Sequence, residues 1–182
     1  MAGLNLLVTG KPGIGKTTLV ERVVERLRGS LRLAGFTTAE IRGTHCQRLG
    51  FRIVTVAGKQ AELARVGLRS PVRVGRYGVN LEAFEALALP ELARRDVDLI
   101  IIDEIGKMEC ASDSFRAATE KALDASVNVL ATLGISNLPF LRTVLQRPDV
   151  QLLTLREGNR EMLVAELCAR VQKACGQAKP PE

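Results

Sequence analysis

Two periods of hydrophobic and polar positions alternate along the chain. Short apolar runs are typical of buried strands, and they occur at 4–9, 97–103, 127–132 and 150–155. Between them, apolar residues recur every three or four positions, which predicts amphipathic helices at 16–28, 81–94, 114–123, 138–146 and 160–173. Strands that alternate with helices favour a mostly parallel sheet covered by helices on both faces. We therefore expect an α/β fold.

The segment at about 36–77 departs from this alternation. Two β-branched runs, 36–42 and 51–57, flank a polar turn and predict an antiparallel hairpin, and a third short strand is expected near 72–77. We interpret the segment as an excursion from a single domain that covers residues 1–175. The remaining residues, 176–182, read GQAKPPE and are expected to form a flexible tail.

A glycine-rich turn separates the first strand from the first helix. It reads GKPGIGKT and fits the phosphate-binding pattern G-x-x-x-x-G-K-[ST], which requires a strand before it and a helix after it. Glycines let backbone N–H groups approach a polyphosphate, Lys16 can reach the β and γ phosphates, and the Thr17 hydroxyl can bind Mg²⁺. Nucleotide binding is therefore assigned to Gly10, Lys11, Pro12, Gly13, Ile14, Gly15, Lys16, Thr17 and Thr18.

The stretch LIIIDEIG at 99–106 ends a buried strand with two adjacent carboxylates. Such acids can simply keep a turn solvated, but a phosphate loop favours a specific role for each. In a strand that ends beside the first one, Asp103 can contact Mg²⁺ through water, and Glu104 can orient or deprotonate the attacking water. The predicted metal ligands are Thr17 and Asp103, and the predicted catalytic residues are Glu104 and Lys16. Nucleotide binding is further assigned to Leu99, Ile100, Ile101, Ile102, Asp103, Glu104, Ile105 and Gly106.

The two residues that follow leave alternatives open. Gly106 completes D-x-x-G, in which GTPases use the glycine N–H to sense the γ phosphate, yet the chain has no N-K-x-D guanine-binding motif. A dedicated GTP switch is therefore not favoured. Lys107 either reaches a γ-phosphate oxygen or pairs with Glu109.

Composition limits the other function classes. The net charge of +6 permits nucleic-acid binding, but the arginines are scattered along the sequence and only six aromatic residues are available for base stacking, so nucleic acid is not the favoured partner. No apolar run is long enough to span a bilayer, and the first ten residues lack a signal-peptide pattern. We expect a cytoplasmic protein without a membrane partner. Four cysteines without C-x-x-C spacing and one histidine do not suggest a zinc site.

Several segments together resemble one known family. GKPGIGKTT, GFTTAE, RLGFRIVT, VGRYGVN, FEALALPEL, IIIDEIGKME and EGNRE occur in the order expected for the thermophilic-type nucleoside-triphosphatase family, also called the cancer-related nucleoside triphosphatase family. The resemblance spans about 4–173. It implies a RecA-like P-loop core and Mg²⁺-dependent hydrolysis of nucleoside triphosphates to diphosphates, with ATP, GTP, CTP and UTP all accepted.

The resemblance is incomplete at two positions of the second strand. The family segment GFYTEE reads GFTTAE here, so an aromatic residue is replaced by Thr37 and an acid by Ala39, whereas Glu40 is retained. The roles of the two changed positions are therefore open. A third polar contact to the site, from Thr132, is a further expectation.

Other readings of the sequence remain in competition. The same phosphate loop would serve a nucleotide or small-molecule kinase, which needs an acceptor, or a nucleotide-switched module that binds RNA or protein. Asn159 and Arg160 either flank the base or ribose or act as a helix cap and a surface arginine. An arginine finger has three candidates, namely Arg42, Arg76 and Arg160. We expect a monomer or a weak oligomer.

Overall fold

The helices lie close to their predicted positions. The computed structural model describes residues 3–177, so residues 178–182 of the predicted flexible tail lie outside the described residues. The helices are α1 (Lys16–Leu27), α2 (Leu81–Leu92), α3 (Asp113–Leu123), α4 (Pro139–Leu145) and α5 (Arg160–Gln177). The last of these therefore continues four residues beyond its expected end at residue 173.

Within residues 3–177, nine strands form one sheet. They are β1 (Asn5–Thr9), β2 (Leu33–Arg42), β3 (Arg48–Thr55), β4 (Gln60–Val66), β5 (Arg73–Val74), β6 (Tyr77–Val79), β7 (Leu99–Ile105), β8 (Asn128–Leu133) and β9 (Val150–Thr154). Their order across the sheet is β5-β6-β4-β3-β2-β7-β8-β1-β9.

The five strands β2, β7, β8, β1 and β9 form a parallel half. β8 lies between β1 and β7, with Val8 opposite Thr132 on one side and Ile102 opposite Ala131 on the other. The expectation that Asp103 lies on a strand directly beside β1 is therefore wrong. Because all five strands are parallel, their carboxyl ends still meet at one edge of the sheet, and α1 begins there.

The strands β3, β4, β6 and β5 continue the sheet as an antiparallel half. The predicted hairpin is present as β2 and β3, where Glu40 lies opposite Phe51. The single short strand expected near 72–77 is instead the pair β5 and β6. The sequence did not predict β4, because QAELARV combines charged residues with alanines, which have a low strand propensity.

Hydrophobic side chains fill both faces of the parallel half. One core lies under α2 and α3, where the rings of Phe36, Phe84 and Phe115 have centroids 5.2 to 6.1 Å apart. The other core lies under α1 and α5. On the antiparallel half, α2 packs against β3 and β4, and within residues 3–177 no helix makes a comparable contact with their opposite face. This half is thus covered on one side only.

Candidate active site

The phosphate loop turns between β1 and α1 through two left-handed glycines. Gly13 has a φ of 76° and Gly15 a φ of 97°, a region that residues with a Cβ rarely adopt. Lys16 opens α1 and is only 9% exposed. Its Nζ donates a hydrogen bond of 3.3 Å to the carbonyl of Gly10, which bends the lysine back over the loop. The loop therefore presents a buried cation at the start of a helix.

Arg160 supports this loop from the start of α5. Its Nη2 donates a 2.8 Å hydrogen bond to the carbonyl of Ile14. A Cβ at Gly15 would lie 2.5 Å from the same nitrogen, so only glycine fits between the arginine and the loop. Arg160 is therefore not a free surface arginine. Asn159 accepts a hydrogen bond from the backbone of Arg156 and donates one to the carbonyl of Thr154, so it closes the turn before α5.

Asp103 is a buried carboxylate near the end of β7. It is 1% exposed, and its Oδ1 accepts a 2.5 Å hydrogen bond from the hydroxyl of Thr132 on β8. Its Oδ2 is buried and has no hydrogen-bond partner among the described residues. Burial raises the pKa of Asp103 above its ordinary value, while the hydroxyls of Thr132 and Thr17 and the charge of Lys16 act to lower it. The arrangement leaves one oxygen of the carboxylate without compensation.

These residues fit a magnesium ion. A buried carboxylate oxygen without a partner, next to a threonine hydroxyl, is a hard oxygen donor set of the kind that Mg²⁺ prefers. Within residues 3–177 no group of three acidic, histidine or cysteine side chains could hold a metal ion by itself. Mg²⁺ commonly keeps several waters and takes further oxygens from substrate phosphates, so one carboxylate and one hydroxyl suffice here.

Glu104 follows Asp103 across a cis peptide bond, and its carboxylate lies beside Lys16 of the phosphate loop. Its side chain is 35% exposed, and its Oε2 lies 3.8 Å from the Nζ of Lys16. Its Oε1 occupies a notch between two glycines: a Cβ at Gly106 would lie 2.7 Å from this oxygen, and a Cβ at Gly134 would lie 3.0 Å from it. Burial raises the pKa of Glu104, and the charge of Lys16 opposes that rise. The notch and the lysine together fix the position of the carboxylate.

The four apolar residues before Asp103 lie in the two cores. Leu99, Ile100, Ile101 and Ile102 are fully buried, alternately under α1 and α5 and under α2 and α3, and Ile105 is fully buried as well. Assigning nucleotide binding to these five side chains is therefore too broad. They anchor the strand that carries the two carboxylates, and contact with a nucleotide is left to the residues at its end.

Glu109 is a site residue that the sequence analysis did not select. It lies in a 3₁₀ turn at Glu109–Ala111, is 4% exposed, and has a pKa raised to about 8, mainly by burial and then by the charge of Glu104. A Cβ at Gly106 would lie 2.8 Å from its Oε2, so Glu104 and Glu109 approach the same glycine. Lys107 forms no ion pair with Glu109 in the part of the chain that the structure describes, and that alternative is not supported. The only sequence signal for Glu109 was its place shortly after the paired acids.

A cavity of about 480 Å³ joins the phosphate loop to the antiparallel half. Lys16, Thr17 and Glu104 lie on one side of it, and Thr38, Glu40, Arg48 and Phe51 form the facing wall; Lys107 also lines it. The hairpin at 36–57 was considered as a possible wall of an acceptor pocket, but its sequence does not show that Thr38, Arg48 and Phe51 are the side chains that line a site. Thr37 and Ala39, where the chain departs from the family pattern, do not line this cavity.

None of the three arginine-finger candidates lines the cavity. Arg42 forms a 2.5 Å ion pair with Glu40, Arg76 donates to the carbonyl of Arg48 and stacks over the ring of Tyr77, and Arg160 bonds to the loop backbone. Their guanidinium groups are thus engaged within the protein.

Known proteins share this combination of fold and motifs. A family model described as NTPase matches residues 5–168. The nucleoside-triphosphatase THEP1 of Thermotoga maritima is 42% identical over 166 residues, which cover 90% of this chain and 93% of that protein. This chain belongs to the NTPase family.

The family extends from bacteria to animals. The cancer-related nucleoside-triphosphatase of Homo sapiens is 36% identical over 186 residues, covering 93% of this chain and 97% of its own. The crystal structure of THEP1 from Aquifex aeolicus superimposes with a TM-score of 0.83 at 39% identity, covering 92% of this chain and 99% of that one. The solution structure of the human protein has a TM-score of 0.80 at 36% identity, covering 93% and 97% respectively.

Membership of the NTPase family confirms three predictions from the sequence. The family itself, the α/β P-loop fold class and the hydrolase activity are as expected, so the protein is an enzyme that binds and hydrolyses nucleoside triphosphates. No helix within residues 3–177 is long and apolar enough to cross a membrane.

Proposed function

We propose that this NTPase acts with Mg²⁺ on ATP, GTP, CTP and UTP alike, with Glu104 as the group that activates water. One observation carries the assignment of roles. Two adjacent carboxylates point to different surroundings: Asp103 is buried against Thr132 with one oxygen unpartnered, whereas Glu104 is partly exposed and lies 3.8 Å from Lys16.

Lys16 and the loop amides would bind the phosphates. A triphosphate on this loop lies at the start of α1, where free N–H groups and the helix dipole favour negative charge. The lysine is buried and already bent over the loop, so little further ordering is needed when a phosphate replaces the carbonyl of Gly10 as its partner. Binding through phosphates supports broad base specificity, because every nucleoside triphosphate presents the same chain of phosphates.

Asp103 and Thr17 would hold the metal ion. When bound, Mg²⁺ would neutralise the negative charge that develops on the phosphate oxygens. The hydroxyl of Thr132 holds the Asp103 carboxylate through Oδ1, which would leave Oδ2 free for the metal ion. Thr132 is thus a positioning residue for the metal ligand.

Glu104 would orient the attacking water and accept its proton. Its carboxylate lies on the rim of the cavity, where water has access, and Lys16 favours the charged form that a general base needs. A carboxylate in the glycine notch can move little, so the water it binds would be held in one direction.

Turnover should be slow. Arg48 is the only arginine that lines the cavity among the described residues, and it is paired with Glu40. P-loop enzymes that lack a full set of charge stabilisers turn over on the order of 10⁻⁴ to 10⁻² s⁻¹. Lys107 is the remaining cation on the wall that could approach a γ phosphate.

The decisive experiment measures phosphate release from the four nucleotides with Mg²⁺ and no acceptor. The variants are Glu104→Gln and, as a matched control, Glu120→Gln on the exposed side of α3. We expect Glu104→Gln to lose roughly 10²- to 10⁴-fold in kcat, as is typical when a general base is removed. Its equilibrium binding of ATP should stay near that of the wild type, and the control should be fully active.

Three results would contradict the proposal. Full hydrolysis by Glu104→Gln would remove its role as the base, and phosphate transfer that requires an added acceptor would favour a kinase. If the rate of hydrolysis without Mg²⁺ equals the rate with it, the metal ion has no role in the reaction.

The predicted domain organisation, oligomeric state and cellular location are part of the same proposal. A single domain over 1–175 is supported by one continuous sheet with a core on each face. A monomer or weak oligomer in the cytoplasm is proposed with it, and size-exclusion chromatography with light scattering tests the first part.

A further inference from the structure

The positive charge of the chain is concentrated in one segment. Of 26 basic and 20 acidic residues, eight basic residues and one acidic residue lie within 42–77, so this segment carries a net charge of +7. The rest of the chain has a net charge of −1. The excess charge that makes the whole protein basic therefore belongs to the antiparallel half.

All eight of these cations are exposed. They are Arg42, Arg48, Arg52, Lys59, Arg65, Arg69, Arg73 and Arg76. Along the sequence they look scattered, which was the ground for disfavouring nucleic acid. The antiparallel pairing of β3, β4, β6 and β5 brings them onto one small unit of structure.

Three of the arginines share the sheet face that α2 leaves uncovered, called here the outer face. Residues directly opposite each other in a sheet point to the same side. Arg65 on β4 lies opposite Gly50 and Gly78, and Gly78 lies opposite Arg73 on β5. Arg52 lies two residues beyond Gly50 on β3 and therefore points to the same side.

The core side of the same strands confirms this orientation. Ile53, next to Arg52, is fully buried in the core under α2, and Phe51 packs against that core. Side chains alternate along a strand, so Arg52 faces away from α2. The two glycines between the arginines are buried, because the backbone of Leu68 lies over Gly78 and that of Ala64 lies against Gly50.

Most of this charge is not neutralised within the protein. Arg65 forms a 3.0 Å ion pair with Glu62, the one acid of the segment. Arg42 and Arg48 share Glu40. The other five cations form no ion pair within residues 3–177, and Arg73 only donates a hydrogen bond to the carbonyl of Arg76. The antiparallel half thus presents uncompensated positive charge to solvent.

We propose that the outer face of β3–β6 binds the phosphodiester backbone of a nucleic acid. Seven of the eight cations are arginines, whose planar guanidinium groups bind phosphate oxygens in a bidentate manner. Arg52, Arg65 and Arg73 are exposed on this face, and three inter-strand spacings make it roughly 15 Å wide, which suits a chain of phosphates better than a single small anion. Base stacking has no part in it, because Phe51 and Tyr77 lie on the other face. Recognition is therefore independent of base sequence.

The test uses fluorescein-labelled U20 and dT20 oligonucleotides without nucleotide triphosphate, so that its failure is separate from a failure of the proposed mechanism. The outer-face variant is Arg52→Gln, Arg65→Gln, Arg73→Gln. The matched control, which removes the same three charges from exposed positions of α3, α4 and α5, is Lys121→Gln, Arg142→Gln, Lys173→Gln. None of the six positions lines the cavity.

Fluorescence anisotropy is measured between about 50 and 200 mM KCl. If three to five phosphates are contacted, log K should fall against log salt with a slope of roughly −2 to −3.5, since a single strand contributes about −0.7 for each contact. We expect the outer-face variant to lose at least about tenfold in affinity and the control less than about threefold. Both variants should hydrolyse ATP like the wild type, which shows that they fold.

Three outcomes would overturn the proposal. The first is no binding of either oligonucleotide at about 100 mM KCl, and the second is equal loss in the two variants, which would show a net-charge effect without a defined face. The third is binding to phosphatidylserine vesicles, lost in the outer-face variant, when neither oligonucleotide binds. That pattern would assign the face to lipid headgroups.

Discussion

The parallel and antiparallel halves of the sheet use charge in opposite ways. In the parallel half, charged and polar site residues are few and buried or partly buried, and each has a specific neighbour: Lys16 contacts Gly10 and Glu104, and Asp103 contacts Thr132. In the antiparallel half the cations are many and exposed, and only a minority are paired. The parallel half holds a few charges at defined positions, and the antiparallel half presents many charges to solvent.

The difference follows from how far each half excludes solvent from its charged groups. Interactions between buried charges are weakly screened, so a displacement of less than 1 Å changes them strongly, and hydrolysis depends on such precision. Exposed charges are screened by salt, and single pairs contribute little, but a field from several like charges attracts a polyanion. Comparable substitutions should therefore change hydrolysis or stability strongly in the parallel half and weakly in the antiparallel half.

The largest effect is expected from Gly106→Ala. The new methyl group would meet carboxylate oxygens of Glu104 and Glu109 at 2.7 and 2.8 Å, so it would push the partly exposed Glu104 out of the notch. We expect kcat to fall roughly 10- to 100-fold with little change in ATP binding. Gly29→Ala is the control, since nothing lies within 4 Å of its Cβ.

The same variant separates two roles for Gly106. Alanine keeps the backbone N–H that would sense a γ phosphate in a D-x-x-G motif. If Gly106→Ala is fully active in a phosphate-release assay, the notch has no catalytic importance. The backbone N–H would then be the remaining role of Gly106.

The next effect is expected from Arg160→Leu. Loss of the charged hydrogen bond to Ile14 should loosen the phosphate loop and raise KM about tenfold or more, because such bonds contribute roughly 1.5–3 kcal/mol. The factor should be the same for ATP, GTP, CTP and UTP. Arg170→Leu, on the same helix and exposed, is the control.

A base-dependent result would change the role of Arg160. If KM rises for some nucleotides only, or differs between ATP and dATP, Arg160 contacts the base or ribose. Steady-state kinetics with the four ribonucleotides and dATP distinguishes these cases.

Local features of the site could be predicted from the sequence, and features that depend on strand order could not. The loop at 10–17 and the acids at 103 and 104 are each specified by contiguous residues, and the structure places Lys16 beside Glu104. That β8 separates β1 from β7 is a result of packing between distant segments. Thr132 could therefore be expected at the site only as a guess from the family pattern, although it holds Asp103 directly.

The burial of Glu109 and the clustering of the arginines could not be predicted from the sequence, for a similar reason. Glutamate is usually a surface residue, and only the folded chain shows that Glu109 is buried in a 3₁₀ turn. The cations of 42–77 are three to seven residues apart, and β4, the strand that aligns Arg65 with Arg73 through Gly78, was not predicted. Without that strand the charges could not be placed on one face.

A smaller effect, on stability, is expected from Glu109→Gln. The pKa of Glu109 is raised from 4.5 to about 8 in the folded protein, so the folded state holds its proton more tightly than the unfolded state. Stability linked to this group is full below pH 4.5 and is lost as pH rises toward 8. Glutamine removes that loss, and the Tm difference from the wild type should grow between pH 5 and 8 to several degrees, since about 1 kcal/mol shifts Tm by roughly 2–4 °C at this size.

The measurement is differential scanning fluorimetry at several pH values. A constant Tm difference across the range would mean that Glu109 does not titrate there. Glu120→Gln, an exposed acid on α3, should follow the wild type at every pH.

The smallest effect is expected from Glu62→Gln, the same substitution in the antiparallel half. Glu62 is partly exposed and pairs with Arg65 at 3.0 Å, and surface pairs of this kind contribute roughly 0.2–1 kcal/mol. Tm should therefore fall by less than about 4 °C, without the pH dependence of Glu109→Gln, and hydrolysis should not change. Removing the one acid of 42–77 should instead tighten oligonucleotide binding, because it raises the net charge of the segment. A large loss of hydrolysis in this variant would show that the two halves are coupled, and the division between precise buried charge and exposed charge would not hold.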